Sequence, residues 1–217
     1  MYDLNHPEKL DYSSGQTPFI DNRLNFMTNG FFIECGALDG EKGSTSLFLE
    51  KTRNWTGLLI EADPENYQRL KLKNRKAFTS NACLSPSTAP AKMTFNKAVN
   101  RGRVVYNKDS ETWIKSQHLK DNKIIQSCFP LYSFMLALNR TVVDFVTLDV
   151  EGDELNVLKT IPFDKITIRM ITVEYVHVPG KSEIIRKFME NNGYETLLRL
   201  QSGNGGMLDI IFKLKHL

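Results

Sequence analysis

Two apolar runs that each end on a carboxylate constrain this chain most. The first is Phe31-Phe-Ile-Glu-Cys-Gly-Ala-Leu-Asp-Gly40, and the second is Gly57-Leu-Leu-Ile-Glu61. Unbroken hydrophobicity over so few residues suits strands buried on both faces, which is how parallel strands in an α/β sheet read. Glycines directly after the first run let the backbone pass close to a ligand. An acid at the tip of the second strand, 27 positions after Glu34 (61 minus 34), can accept hydrogen bonds from both hydroxyls of a ribose. The pattern of strand, glycine turn, helix, strand and acid therefore predicts a nucleoside held at the carboxyl ends of parallel strands.

The rest of the chain extends this alternation. Helices are predicted over 44–53, with Ser44 as N-cap, and from Pro64, with Asp63 as its cap. A strand over 77–84 follows. Residues 85–130 break the pattern. Two short strands at 92–99 and 103–107 suggest a hairpin, and 124–129 a further strand. This stretch reads as an insertion over the site, acting as a lid or recognition element. Alternation resumes with a helix at 131–138, strand 142–150, helix 154–160, strand 168–175, and a helix at 182–192 stopped by Gly193. Strands at 194–200 and 208–214, joined by a glycine-rich turn, must pair antiparallel. Residues 1–30 show no period and read as an arm, leaving 31–217 as one domain.

A mostly parallel seven-stranded sheet closed by a C-terminal antiparallel hairpin is the architecture of class I S-adenosylmethionine (SAM) methyltransferases, a Rossmann-like α/β fold. Dinucleotide-binding folds lack the closing hairpin, and no GxGxxG occurs. In such a fold Glu34, Gly36, Ala37, Asp39 and Gly40 would line the cofactor turn, with Glu34 facing the methionyl ammonium. Glu61 and Ala62 would meet the ribose, and Asn81 and Ala82 the adenine; each of these segments can also be read as plain strand and turn. The run Asp149-Val-Glu-Gly-Asp-Glu154 sets four carboxylates at the end of a strand. Asp149 is the main candidate there for contact with cofactor or substrate, while Glu151 and Asp153 also suit the first turn of the next helix. Glu174 and His177 follow the next strand as candidate proton acceptors. Asp149, Glu174 and His177 together can also be arranged around a divalent cation; the reading without metal is preferred.

Composition narrows the field further. A net charge of +3 is too small to argue for nucleic acid as a partner. The basic run Arg69-Leu-Lys-Leu-Lys-Asn-Arg-Lys76 is expected to be the solvated face and end of a helix. No stretch of apolar residues is long enough to span a membrane, and the polar N-terminus is no signal peptide. The default expectation is therefore a cytoplasmic protein, although the sequons at Asn54 and Asn139 keep a luminal setting open.

The three motifs Glu34-Cys-Gly-Ala-Leu-Asp-Gly40, Leu59-Ile-Glu-Ala-Asp-Pro64 and Leu148-Asp-Val-Glu-Gly-Asp-Glu154 together resemble the FkbM-type methyltransferase domain. The likeness runs from about residue 12 to the end. Within the family it is greatest to the Star branch, through stretches such as Asn81-Ala-Cys-Leu-Ser85 and Cys128-Phe-Pro-Leu-Tyr132. The resemblance implies SAM-dependent methyl transfer, usually to a hydroxyl, on an acceptor that is a small molecule, a glycan or a protein. It also implies an alternative, a methyltransferase-fold adaptor for a protein cargo that acts in trafficking without catalysis. That alternative would place the chain in the endoplasmic reticulum or Golgi as part of a longer protein. Cys83 and Cys128 both lie in the branch-like motifs, so the resemblance raises a disulfide between them.

Overall fold

A computed structural model describes residues 1–13, 15–98, 101–105, 122–175, 181–200 and 209–216, the side chain of Lys181 apart. The first elements are α1 (Gln16–Arg23), β1 (Phe31–Cys35), α2 (Leu47–Thr52), β2 (Thr56–Ile60), α3 (Pro64–Leu72) and β3 (Phe78–Ser80). The middle of the chain supplies β4 (Cys83–Leu84), β5 (Ala91–Asn96), β6 (Arg103–Val104), β7 (Lys123–Phe129) and α4 (Leu131–Ala137). Then come β8 (Val142–Leu148), α5 (Glu154–Lys159), β9 (Thr167–Glu174), α6 (Lys181–Asn191), β10 (Tyr194–Arg199) and β11 (Asp209–Leu214).

The main sheet has seven strands in the order β10-β11-β9-β8-β1-β2-β3. β3, β2, β1, β8 and β9 run parallel, and β11 lies antiparallel between β9 and β10. The chain builds outward from β1 to β3 on one side, then returns to build from β8 outward on the other. The reversal lies between β1 and β8, and a ligand crevice opens at the carboxyl ends of such a pair. Side chains alternate along each strand, so Phe31, Ile33 and Cys35 face one core and Phe32 the other. Leu131, Met135, Val157, Ile185 and Met189 cover the first core, while Ile20, Leu49 and Leu70 cover the second. With both faces covered, Phe31–Cys35 is buried at every position, as its unbroken hydrophobicity predicts.

The expected class I methyltransferase architecture is present, closing hairpin included, and most elements fall within two residues of expectation. Three local differences have physical causes. The strand expected over 77–84 is two strands in two sheets, because β4 pairs with β7 in a second sheet of order β4-β7-β5-β6. The break falls at Asn81, whose side-chain amide donates to the carbonyls of Glu61 (2.9 Å) and Ala62 (3.3 Å) and so replaces the ladder there. The helix expected from Ser44 begins only at Leu47, since the hydroxyls of Ser44 and Ser46 both donate to Glu34. The arm contains a helix, α1, whose Ile20 is wholly buried in the second core. The expected hairpin is present as the antiparallel pair β5–β6, and a disulfide joins Cys83 to Cys128. The glycine-rich turn before β11 lies outside the described residues.

Candidate functional site

A cavity of about 370 Å³ opens at the carboxyl ends of β1, β2, β8 and β9. Its wall includes Glu34, Gly36, Leu38, Glu61, Ala62, Ala82 and Leu84. Asp149, Glu151, Asp153 and Glu174 also line it, with Phe95, Arg101, Gly102 and Val104 from the insertion. Its volume falls in the range of about 300–1,000 Å³ common for small-molecule sites.

The turn after β1 is built to approach this cavity closely. Gly36 has φ +81°, and a Cβ there would collide with the carbonyl oxygen of Asp149 at the tip of β8. Only glycine satisfies both demands. Leu38 also adopts the left-handed conformation (φ 51°), and its N–H donates to Glu61 Oε2 at 2.7 Å. Glu61 Oε1 accepts from the N–H of Asp63 at 2.8 Å. Burial pushes the Glu61 carboxyl up to about 7, against the two backbone donors that favour its charged form. The Asn66 side chain is a third donor to this carboxylate, and four lone pairs still leave it able to hold the turn and accept from a ligand.

Glu34 is placed differently from expectation. Its carboxylate accepts from Ser44 Oγ (2.9 Å), Thr45 N (3.2 Å) and Ser46 Oγ. It lines the cavity, but three donors of its own loop already surround it. Asp39 caps its turn, with Oδ1 accepting from Glu41 N (3.0 Å) and Lys42 N (2.8 Å). Gly36, Glu61, Ala62, Ala82 and Asp149 stand in the cavity wall, whereas Ala37, Asp39, Gly40 and Asn81 are not among its lining residues.

Asp149, Glu154 and Glu174 converge from β8, α5 and β9, each with one oxygen within 4.8 Å of the others. Asp149 Oδ1 is buried and has no hydrogen-bond partner among the described residues. Burial and then the Glu151 charge raise Asp149, while burial and then the Asp149 charge raise Glu174 further. The two carboxyls hydrogen-bond to each other, so the pair shares at least one proton near neutral pH. Glu154 is also raised by burial, though its Oε1 accepts from Val150 N (3.1 Å) and Gly152 N (2.9 Å). The bend between β8 and α5 is tight, with Glu151 at φ 60° and Gly152 at φ 117°. His177 lies outside the described residues.

Sequence reasoning missed the apolar wall from Phe95, Gly102 and Val104. Their hairpin and its place over the site were expected, but which of its side chains would line the cavity was not legible. It also missed Leu38, whose left-handed backbone has no signature in a leucine.

The site fits an adenosyl sulfonium on two observations of the structure: Gly36, backed against the Asp149 carbonyl, stands in the cavity wall without a side chain, and a buried Asp149 oxygen has no donor among the described residues. A family model described as the methyltransferase FkbM domain matches residues 34–196, which contain all three acid-ended motifs. No curated protein matches the chain in sequence. Among solved structures, the methyltransferase FkbM from Methylobacillus flagellatus KT shares 13% identity with a TM-score of 0.54, over 85% of this chain and 43% of that one. Magnesium protoporphyrin IX methyltransferase from Synechocystis PCC 6803, solved with bound SAM, shares 10% identity with a TM-score of 0.50, over 93% and 80%. At these identities the likeness is one of fold. No helix among the described residues is long and apolar enough to cross a membrane.

Proposed function

The chain belongs to the methyltransferase FkbM domain family, and from that premise we propose that it transfers a methyl group from SAM to a hydroxyl acceptor. The observation that carries this reading is the cavity at the reversal between β1 and β8, lined both by the buried Glu61 and by the Asp149–Glu174 pair.

SAM supplies an electrophilic methyl group on a sulfonium. The residues of this chain hold and orient it. Glu61 accepts from the ribose hydroxyls while fixing the backbone at Leu38. Gly36 lets the turn pass close to the ligand, and Ala62 and Ala82 leave room beside the base. Glu34 keeps the loop at Ser44–Ser46 in place and presents its charge at the methionyl end of the cavity. Such positioning is the main source of acceleration for a reaction that needs little covalent help from the protein. The acceptor hydroxyl enters from the side of Phe95 and Val104, and its proton passes to the Asp149–Glu174 pair. Because both carboxyls are pushed up, the pair can act as a base only in its deprotonated form, and transfer should strengthen as pH rises from neutral to mildly alkaline.

A second reading is a methyltransferase-fold adaptor that acts without catalysis. It is favoured by Glu34, whose carboxylate is already surrounded by its own loop, and by the Cys83–Cys128 disulfide, which suits an oxidising compartment. Titration calorimetry with SAM separates the two. Micromolar binding, with methylation of a hydroxyl-bearing panel detected as an added methyl mass, supports transfer. No binding at millimolar SAM removes the enzyme reading.

A further inference from the structure

The basic run at 69–76 is not the solvated helix end its composition suggests. Arg69, Lys71 and Lys76 are exposed, but Lys73 and Arg75 turn inward. The Lys73 ammonium meets Glu41 Oε2 at 2.7 Å, both side chains being buried. The Arg75 and Glu50 side chains have no exposure at all, and Arg75 Nε donates to Glu50 Oε2 at 3.1 Å. A buried cation with one carboxylate partner still has donors to place. Those of Arg75 go to the cofactor turn. Nη1 donates to the carbonyl of Gly40 and to Ser44 Oγ (3.3 Å), and Nη2 donates to Ser46 Oγ (3.0 Å). Ser44 and Ser46 are the hydroxyls that hold Glu34. One planar fork therefore ties both ends of the turn to α2, through Glu50, and to the segment following α3.

We propose that Arg75 is a positioning residue for the cofactor site: it does not touch the ligand, but it sets the geometry of residues 36–46, and through them the affinity for SAM. This rests on the reading of the cavity as a SAM site. The geometry favours the guanidinium specifically. A lysine at 75 keeps the charge opposite Glu50 but has one nitrogen in place of three, so it cannot reach Gly40, Ser46 and Glu50 together.

The test uses the full chain with Arg75→Lys, Arg75→Met and Ile168→Ala. Ile168 is wholly buried at the start of β9, at the opposite end of the parallel strands from the turn, and serves as a control for lost stability. Amide hydrogen exchange without ligand is expected to quicken at least tenfold across 36–46 in Arg75→Lys and more in Arg75→Met, while Ile168→Ala leaves that segment unchanged. Calorimetry is expected to show SAM affinity falling about tenfold or more in Arg75→Lys, further in Arg75→Met, and not at all in folded Ile168→Ala. Wild-type exchange across 36–46 in Arg75→Lys overturns the proposal without reference to any ligand. Faster exchange with unchanged SAM affinity overturns its link to the cofactor. A wild-type chain that binds no SAM overturns that link too, and is recognised as a failure of the site reading because the exchange result stands apart from it.

Discussion

Replacing Glu61 with alanine separates binding from folding in a way the structure lets us work out. The change removes two acceptors and leaves the N–H groups of Leu38 and Asp63 without their partners at 2.7 and 2.8 Å. Each orphaned buried donor costs about 1–3 kcal/mol. The change also removes a carboxyl whose ionisation is held up by burial. A rise from 4.5 to about 7 means that holding this group charged in the folded state costs about 3 kcal/mol once both folded and unfolded forms are ionised. A raised carboxyl stabilises fully below its unfolded value and loses that contribution as pH climbs through its folded value. The penalty is therefore small at pH 4.5, at about 0.4 kcal/mol, and nearly complete at pH 8. Glu61→Ala should lose about 1–5 kcal/mol near pH 5, and at pH 8 its effect should lie between a gain of about 1 and a loss of about 3 kcal/mol, the two effects largely offsetting at the higher pH. For a chain of this length 1 kcal/mol moves Tm by about 2–4 °C, so the variant should approach the wild type in Tm as pH rises. SAM affinity should fall roughly 30-fold or more at pH 8, since charge-assisted hydrogen bonds to the ribose, at about 1.5–3 kcal/mol each, are lost. Thermal unfolding at pH 5 and pH 8, with calorimetry at pH 8, tests both halves. A Tm difference that is the same at the two pH values refutes the raised ionisation. Wild-type SAM affinity in the folded variant refutes the ribose contact.

Three further outcomes follow from the same geometry. Gly36→Ala forces a methyl group onto the Asp149 carbonyl at a left-handed φ, so it should lower stability by about 2 kcal/mol or more and abolish SAM binding, read by unfolding and calorimetry. Asp149→Asn removes a carboxyl held up by burial and by the Glu151 charge, and relieves Glu174 of the Asp149 charge, so it should raise Tm at pH 8 while stopping methyl transfer; a fall in Tm with retained transfer would remove Asp149 from the site. Reducing the Cys83–Cys128 disulfide, whose cysteines are 45 positions apart, should lower stability by about 2–4 kcal/mol, seen as a drop in Tm with reductant that Cys83→Ser no longer shows.

How far the sequence could be read depended on the range over which each residue acts. β1 and β2 were legible because their burial follows from their own side chains, and α3 because Asp63 and Pro64 are local signals that the structure uses directly, with Asp63 accepting from Glu65 N at 2.8 Å. Glu61 and Asp149 were legible as strand-end acids, since a carboxylate after an apolar run has few places to go but the sheet edge. What could not be read was who would satisfy whom. Glu34 has the same local signature as Glu61, yet the hydroxyls of Ser44 and Ser46 close around it, because the loop following β1 folds back over its tip. Asn81 looked like a base contact and instead bridges two carbonyls of the neighbouring strand.

The basic run at 69–76 shows the same limit from the other side. Spacing along a helix places Lys73 and Arg75 near Arg69 and Lys71, and on local grounds all four belong to solvent. Their separation is decided by Glu41 and Glu50, which stand 32 and 25 positions earlier (73 minus 41, 75 minus 50) and are buried only because the loop after β1 and α2 pack against the segment following α3. A buried glutamate without a cation would be costly, and so would a buried arginine alone. Each makes the other's position tenable, and the cofactor turn lies between the two pairs. The chemistry proposed at Gly36 and Glu61 thus depends on charges that a reading of local pattern assigns to the surface.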